Sequence, residues 1–262
     1  MNSISPNLNV MIKASEKASK ILIRDFGEIE KLQVSRKGPK DFVTNSDLKT
    51  EKIIIEELKK ARPNFSIISE EDGSELNNDK DNTWIIDPID GTTNFMHGNP
   101  NFAISIAAEI NGKLEAAIIY SPITDEMFTA ERGKGSFLND KRIRIATRKK
   151  LSDTILVTGI PHLGRGDKEL FIKEMNKIIP EVAGIRRSGS AALDLAWIAA
   201  GRYDIFWERG LEIWDIAAGV LLVREAGGFA KGLDGSEKNL WEGNVIAGND
   251  DIINALSEKL DF

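Results

Sequence analysis

The sequence predicts a mixed α/β (α+β) fold. Near both ends of the chain, apolar residues recur at the spacing of amphipathic helices. Between the ends, short apolar runs of strand character alternate with turn-forming dipeptides and with further helical patterns. A chain of 262 residues is long enough for a large buried core, in one domain or in two tightly packed halves.

The N-terminal segment is predicted to be an amphipathic helix. Ser5-Pro6 supplies a cap and a first-turn proline, and Gly27 is a natural end. The residues between them that form one apolar face are Leu8, Met11, Ala14, Ala18, Ile21, Leu22 and Phe26. Because charged residues interrupt the apolar positions, the segment is expected to be neither a signal peptide nor a membrane anchor.

A loop and a second helix are predicted next. The basic segment 35–40 contains the breaker Gly38-Pro39 and is expected to be a mobile loop. The second helix opens within residues 43–47. Thr44 and Asp47 fit a capping box there, which is by itself a complete structural reason for Asp47.

Two predicted strands end in acidic residues, and each end is a candidate cation site. The strand at residues 65–68 leads to Glu70-Glu71-Asp72. Adjacent acids are typical of a solvated loop, but their repulsion also makes them ready cation ligands. The apolar run at residues 84–86 ends in Asp87-Pro88-Ile89-Asp90. Its carboxylates and the Ile89 carbonyl are hard ligands that suit Mg²⁺ or Mn²⁺.

A helix can begin directly after this acidic pair, at Gly91-Thr92-Thr93-Asn94. The backbone N–H groups of Gly91 and Thr92 would then face an anion at the helix start. A cation site beside an anion site suggests phosphate chemistry. The alternative is a plain strand and turn, since Asp-Pro and Asp-Gly are both turn formers.

The middle of the chain predicts an antiparallel meander. Strands at residues 102–108 and 114–120 are joined across Asn111-Gly112, the dipeptide that a type I′ hairpin needs. A strand at residues 127–130 and the turn-rich segment 133–140 continue the pattern.

A soft boundary is predicted where charges crowd near residues 146–152. It divides a single unit, residues 1–262, into a metal-binding α+β half (1–146) and an α/β half (147–262). In the second half, helix and strand alternate again: strand 155–157, helix 170–178, small-residue helix 191–200, strand 203–207, helix 214–225 ended by Gly227-Gly228, and closing helix 252–260.

Composition excludes several classes of protein. The formal charge of −6 argues against a general nucleic-acid or anionic-membrane binder, although residues 142–150 form a local basic patch. Because cysteine is absent, disulfides, a thiol nucleophile and a zinc–thiolate site are excluded, and a cytoplasmic location is expected. With only His97 and His162, a histidine-rich metal site is not expected.

Three segments, residues 69–72, 84–95 and 214–219, together resemble the signature of the inositol monophosphatase family. The resemblance runs over nearly the whole chain. It implies a layered α-β-α-β-α sandwich and a homodimer. Residues 93–98 resemble the inositol monophosphatase branch more than branches that act on histidinol phosphate or adenosine bisphosphates.

The resemblance also implies a set of site residues. Two or three Mg²⁺ ions are held by Glu70, Asp87, the Ile89 carbonyl, Asp90 and Asp215. Thr92, oriented by Asp47, positions a metal-bound water for in-line attack on phosphorus. For Asp215 the alternative is an acid that favours the positive end of a helix dipole.

Substrate contacts are implied at Gly91, Thr92, Ser190 and Glu208, where Glu208 accepts hydrogen bonds from substrate hydroxyls. The alternatives are a plain N-cap for Ser190 and a solvated strand-end charge for Glu208. The family often carries a lysine near the third metal, and here Arg36 and Lys37 compete for that position.

The function expected from the resemblance is Mg²⁺-dependent, Li⁺-sensitive hydrolysis of myo-inositol monophosphate. One alternative is a related phosphatase for fructose 1,6-bisphosphate, histidinol phosphate or a nucleotide. Another is an interaction protein of the transcription antitermination machinery that retains the phosphatase site. Neither membrane attachment nor direct nucleic-acid binding is expected.

Overall fold

Helices and strands alternate along the chain as the apolar spacing predicts. The computed structural model describes residues 4–29, 34–37, 41–75 and 79–260, with the backbone alone at 34–37, 41–44, 75 and 80. The described helices are α1 (Pro6–Phe26), α2 (Asn45–Ala61), α3 (Thr92–Met96), α4 (Lys168–Ile178), α5 (Ala191–Ala199), α6 (Ile213–Glu225), α7 (Glu237–Trp241) and α8 (Asp250–Leu260).

The described strands form a small hairpin and two large sheets. The strands are β1 (Val34–Lys37), β2 (Asp41–Thr44), β3 (Phe65–Ser69), β4 (Gly73–Glu75), β5 (Asp79–Asp90), β6 (Ala103–Ile110), β7 (Lys113–Ser121), β8 (Glu126–Glu131), β9 (Gly135–Leu138), β10 (Lys141–Arg142), β11 (Ile155–Thr158), β12 (Gly184–Arg186), β13 (Ile205–Glu208), β14 (Phe229–Gly232) and β15 (Val245–Gly248). The eight-stranded sheet has the order β10-β9-β8-β7-β6-β5-β3-β4, and the five-stranded sheet has the order β12-β11-β13-β15-β14.

The elements stack in alternating layers because each sheet buries both of its faces. Helices α1 and α2 cover the outer face of the eight-stranded sheet, and their apolar residues form one core with it. Helices α5 and α6 lie between the two sheets. Helices α4 and α8 cover the far face of the five-stranded sheet. The α-β-α-β-α order predicted from the family resemblance is therefore confirmed.

Helix α1 begins and ends where the sequence predicts. The Ser5 hydroxyl accepts a hydrogen bond from the Leu8 N–H at 3.2 Å, and Pro6 occupies the first turn. Gly27 caps the C-terminal end. The apolar face packs on the eight-stranded sheet, where Met11 and Leu22 are fully buried.

The antiparallel meander is also confirmed. Asn111 and Gly112 have φ values of 51° and 69°, the left-handed pair that joins β6 to β7 in a tight hairpin. The turn at Asn139-Asp140 uses the same conformation, with φ values of 46° and 63°. Local turn chemistry therefore sets the order of this half of the sheet.

The loop predicted for residues 35–40 is wrong over its first part. Residues 34–37 form β1, which pairs antiparallel with β2, so that Val34 lies opposite Thr44. Strand pairing satisfies the backbone groups and outweighs the loop-like composition. Residues 38–40 lie outside the described part of the chain, as do the side chains of Arg36, Lys37 and Thr44.

The short elements β12, β14, β15 and α7 were not predicted, because each has too few residues to show a period. Among the described helices, none has the length and apolar composition needed to cross a bilayer.

The arrangement of two parallel strands brings the predicted acidic segments to one edge. Strand β3 pairs parallel with β5, and Ser69 lies opposite Ile86. Glu70, the first residue after β3, therefore lies beside Asp87, near the C-terminal end of β5. The pairing of β5 with β6 shifts register between Asp87 and Asp90, at the proline that lacks an N–H.

Candidate active site

Three of the predicted carboxylates converge on one point. Asp87 and Asp90 lie at the end of β5, and Asp215 lies in the first turn of α6. Each offers one carboxylate oxygen, and the three oxygens lie within 4.8 Å of one another. Asp87 and Asp90 are buried, with 1% and 8% of their surface exposed. An all-oxygen, negatively charged donor set of this kind fits a hard divalent cation.

Glu70 and Ile89 lie on the same cavity wall beside this cluster, although the Glu70 carboxylate is not one of the three that converge. The Glu70 N–H donates to the Ile86 carbonyl at 3.3 Å, which fixes its backbone beside β5. The Ile89 N–H donates to Asp87 Oδ1 at 2.9 Å. The Ile89 carbonyl accepts from the Thr92 hydroxyl at 2.9 Å, and a carbonyl oxygen has two lone pairs, so this contact leaves one for a cation.

The carboxylates destabilise one another's charged forms. Burial raises the pKa of Asp90 to about 6, although the Ser190 hydroxyl and backbone N–H groups of α5 lower it in part. Burial and then repulsion from Asp90 raise the pKa of Asp215 to about 7. Partial loss of hydration and then repulsion from Asp215 raise the pKa of Glu70 to about 8, although Glu70 is an exposed residue.

The charged form of Asp87 is also destabilised, and Asp87 is more deeply buried than Asp90. Burial and then repulsion from Glu70 raise its pKa well above the usual range for a carboxyl. A bound cation reverses both effects, because it replaces lost hydration and neutralises the repulsion. The residues present therefore fit a divalent metal.

Thr92 and Asp47 also meet. Thr92 opens α3, and its hydroxyl lies 3.5 Å from Asp47 Oδ1 and 2.9 Å from the Ile89 carbonyl. A hydroxyl has one hydrogen, so Thr92 donates to one acceptor at a time. The predicted contact with Asp47 is present, but at the long limit of a hydrogen bond. Asp47 is fully buried in the first turn of α2.

Gly91 is required by close packing at this corner. Its φ is +96°, and a Cβ there would lie 2.9 Å from the Asn101 carbonyl oxygen and 3.2 Å from that of Gly189. The Asn94 amide closes the same contact, since its Nδ2 donates to the carbonyls of Asn101 and Ser188 at 2.7 and 2.8 Å.

Asp90 links the acidic cluster to α5. The Ser190 hydroxyl donates to Asp90 Oδ2, and the Ala192 N–H donates to the same oxygen at 2.7 Å. Ser190 also caps α5 by accepting from the Leu193 N–H at 3.3 Å. The N-cap alternative for Ser190 is thus confirmed, and its role in substrate binding stays a prediction. Asp215 likewise has a structural role, since it accepts from the Glu212 N–H at 2.7 Å.

Glu208 faces the acidic cluster from the end of β13. It packs so closely on Gly159 that a Cβ at Gly159 would lie 1.7 Å from Glu208 Oε1. Burial raises the pKa of Glu208 to about 8, and repulsion from Asp215 adds to the effect. Its carboxyl is therefore not the freely solvated strand-end charge of the alternative interpretation.

Most of these groups border one cavity of about 440 Å³, beside a cleft of about 590 Å³ that shares part of its wall. Its size suits a phosphorylated small molecule. The predicted residues on its wall are Glu70, Asp87, Ile89, Asp90, Gly91, Thr92, Ser190, Glu208 and Asp215. Asp47 lies behind this wall, against Thr92.

The wall also contains residues that the sequence alone did not single out. Asp194 is buried and accepts from the Ser188 hydroxyl at 2.5 Å, and burial raises its pKa well above the usual range. Arg187 lines the cavity, and its charge lowers the pKa of Glu208 in part. Asp194 had a detectable signal, as the one charged residue in an otherwise apolar helix. Arg187 had none.

Residues 4–261 match the model of the inositol monophosphatase family. The chain belongs to this family. The inositol-1-monophosphatase of Rhizobium meliloti is 54% identical over 97% of this chain and 95% of its own length. The extragenic suppressor protein suhB of Bartonella henselae, a solved structure, has a TM-score of 0.94, 50% identity and 98% coverage of both chains.

Another relative has a different name. The protein called Nus factor SuhB in Escherichia coli is 44% identical over 96% of this chain and 94% of its own length. The family assignment made from residues 69–72, 84–95 and 214–219 is confirmed. Inositol monophosphatases are metal-dependent phosphoric monoester hydrolases, which agrees with the acidic cluster.

Proposed function

We propose that this protein is a Mg²⁺-dependent phosphomonoesterase that hydrolyses myo-inositol monophosphate to myo-inositol and phosphate. The observation that carries the proposal is the convergence of Asp87, Asp90 and Asp215 within 4.8 Å at the wall of a cavity that Glu208 also lines. Membership in the family and the 54% identity to a protein named inositol-1-monophosphatase support the substrate class.

Phosphate monoesters resist hydrolysis because their negative oxygens repel a nucleophile. Two or three Mg²⁺ ions, with Mn²⁺ as a substitute, would neutralise this charge, activate water and stabilise the leaving oxygen. The residues that would hold them are Glu70, Asp87, the Ile89 carbonyl, Asp90 and Asp215. Li⁺ would inhibit by replacing a weakly held Mg²⁺.

Thr92 and Asp47 orient the attacking water. When the Thr92 hydroxyl donates its hydrogen to Asp47 or to the Ile89 carbonyl, its oxygen accepts a hydrogen bond from water and aims a water lone pair at phosphorus. A bond forms from water oxygen to phosphorus while the ester P–O bond breaks. The attacking water loses one proton and the leaving alkoxide takes one up, so the products are inositol and inorganic phosphate. Water is the nucleophile, so no phosphoenzyme forms.

Glu208 selects a polyol. Its carboxylate would accept hydrogen bonds from substrate hydroxyls, and Gly159 allows it to lie flat against the cavity wall. Gly91, Thr92 and Ser190 would contact the phosphate or the ring, through N–H groups or the hydroxyl. A buried acceptor that lacks a partner is costly, and this cost would disfavour substrates without hydroxyls.

We further propose a single catalytic unit over residues 1–262, divided softly at 146/147, that acts as a cytoplasmic homodimer. The metal cluster draws ligands from both parts, since Asp87 and Asp90 precede residue 146 and Asp215 follows it.

A second role has support of its own. Relatives named Nus factor SuhB are 44% identical over 96% of this chain, which supports a partner in a transcription complex. Such a role would use surface residues and would coexist with the intact acidic cluster. The remaining alternative is a phosphatase for another small ester, such as fructose 1,6-bisphosphate, histidinol phosphate or a nucleotide.

The test is phosphate release from inositol 1-phosphate, fructose 1,6-bisphosphate, histidinol phosphate and an adenosine bisphosphate, with Mg²⁺ and then with added Li⁺. We expect preference for inositol 1-phosphate and loss of activity in Li⁺. Preference for another ester would overturn the substrate. No release from any ester by protein that binds Mg²⁺ would favour the interaction role.

A further inference from the structure

One buried acid beside the active site has no role in the chemistry described so far. Glu51 lies on α2, four residues after Asp47, so the two side chains project from the same face one turn apart. Glu51 has 1% of its surface exposed. A buried carboxylate requires strong hydrogen bonds, because the loss of hydration is costly.

Glu51 uses both carboxylate oxygens to hold the segment that follows β3. Oε2 accepts from the Glu71 N–H at 3.1 Å, and Oε1 accepts from the Asp72 N–H at 2.8 Å. The Ser69 hydroxyl also lowers the pKa of Glu51 in part. The two N–H donors directly follow Glu70 in the sequence.

Glu70 is therefore held from two directions. Its own N–H is bonded to the Ile86 carbonyl of β5, the strand that carries Asp87 and Asp90. The next two peptide groups are bonded to Glu51 on α2. Two consecutive peptide planes that share one carboxylate cannot rotate independently, so the Cα–Cβ direction of Glu70 is fixed.

We propose that Glu51 is a positioning residue, which holds the Glu70 carboxylate in reach of the cation bound by Asp87, Asp90 and Asp215. The inference rests on the proposed metal site. It assigns to α2 two tasks on one face: Asp47 orients Thr92, and Glu51 orients Glu70. Helix α2 thus aligns the water-orienting hydroxyl with the outermost metal ligand.

At a pH above about 7, where Glu51 is ionised, its carboxylate matches the two N–H donors better than an amide would. Both backbone partners are donors, so each needs an acceptor. A glutamine has one acceptor oxygen, and its NH₂ group would face the second N–H donor. Glu51→Gln therefore changes no volume and breaks one of the two backbone hydrogen bonds. Glu51→Asp keeps both acceptors but shortens their reach.

The experiment measures Mn²⁺ binding by calorimetry on the purified protein, beside thermal melting and the Mg²⁺ dependence of phosphate release. We expect Glu51→Gln to weaken Mn²⁺ binding about tenfold, the usual effect of losing a partner that orients a metal ligand. Glu70→Gln should weaken it at least as much. The double variant should be no weaker than Glu70→Gln alone, because Glu51 acts through Glu70.

Asp204→Asn is the matched control. Asp204 is also buried, with 2% of its surface exposed, and also accepts a backbone hydrogen bond, from the Ile155 N–H at 2.8 Å. It directly precedes β13, at the opposite end of that strand from Glu208, and it pairs with Arg148 at 2.8 Å. We expect this variant to lower the melting temperature while Mn²⁺ affinity stays within about twofold of wild type.

Two results would overturn the inference. One is unchanged Mn²⁺ affinity in Glu51→Gln with a lowered melting temperature, which would make Glu51 a purely structural residue. The other is additive losses in the double variant. If Glu51→Gln does not fold, Glu51→Asp with Glu70→Gln gives the same cycle. Failure of the wild-type protein to bind Mn²⁺ at all would instead refute the metal assignment itself.

Discussion

The contact between Gly159 and Glu208 allows the substrate-binding role of Glu208 to be tested without changing its charge. In Gly159→Ala, the added Cβ would lie 1.7 Å from Oε1, 2.2 Å from Cδ and 2.7 Å from Oε2 of Glu208 in its present position. All three atoms are the mobile end of a flexible side chain. We therefore expect Glu208 to rotate away, by about 1.5–2 Å to reach van der Waals distance, while the protein stays folded.

The size of the effect follows from the hydrogen bond that is lost. A hydrogen bond to a charged group contributes about 1.5–3 kcal/mol. Its loss should lower kcat/KM for inositol 1-phosphate by about 10–100-fold. An aryl phosphate such as p-nitrophenyl phosphate has no ring hydroxyl, so its kcat/KM should change by no more than about twofold.

The assay is steady-state phosphate release from both substrates with Mg²⁺, together with thermal melting. Gly184→Ala is the control, because a Cβ there would also meet the mobile end of a side chain, Arg186 Nη1 at 3.2 Å, and Gly184 lies on β12, outside the cavity wall. In Glu208→Gln/Gly159→Ala the alanine should add little to the effect of the glutamine. An equal loss for both substrates, or no loss for either, would refute the role of Glu208.

Four further predictions concern the rest of the molecule. Asp87→Asn should reduce phosphate release to background and weaken Mn²⁺ binding measured by calorimetry, because it removes a central ligand charge. Thr92→Val should lower kcat about 100-fold with little change in KM, and Thr92→Ser should restore much of the rate, since only the hydroxyl orients water. Leu22→Ala should lower the free energy of unfolding in urea by about 2–5 kcal/mol, because Leu22 on α1 is fully buried in the core that α1 shares with the eight-stranded sheet. Burial raises the pKa of Glu51 from its ordinary value of 4.5 to about 7, so stability from this group is full below pH 4.5 and is lost as pH rises through 7. The free energy of unfolding measured in urea should therefore fall as pH rises. The fall should be larger in wild type than in Glu51→Gln by on the order of 2 kcal/mol.

Each of these has a contrary result. Full phosphate release by Asp87→Asn with Mg²⁺ would refute the metal assignment. A raised KM at unchanged kcat in Thr92→Val would make Thr92 a binding residue. A loss below about 1 kcal/mol in Leu22→Ala would mean that the site collapses without a cavity. Parallel pH profiles for wild type and Glu51→Gln would exclude Glu51 as the group that titrates.

Features set by neighbouring residues were predictable from the sequence. The limits of α1 follow from Ser5-Pro6 and Gly27, and the β6–β7 hairpin follows from Asn111-Gly112. In both cases the deciding contacts join residues a few positions apart. The acidic segments were predictable as candidates for the same reason, but their convergence was predictable only through resemblance to a family.

Features set by distant contacts were not predictable. The closeness of Gly159 and Glu208 depends on the packing of β11 beside β13. Glu51 was not singled out from the sequence, because its hydrogen-bond partners lie about twenty residues further along the chain. Strand β1 was missed because its basic residues predict a loop, whereas the partner strand β2 decides its conformation. In each case the conformation depends on a second segment that is distant in the sequence.

The wide separation of the cluster in the chain has a consequence during synthesis. Asp87 and Asp90 leave the ribosome long before Asp215, which lies on α6, a helix of the central layer. Until then the nascent chain carries Asp87 and Asp90 without Asp215. The eight-stranded sheet also lacks α6, which packs on its inner face. The N-terminal half is therefore exposed to aggregation until α6 arrives, and the three-carboxylate cation site is complete only once α6 has packed on the eight-stranded sheet.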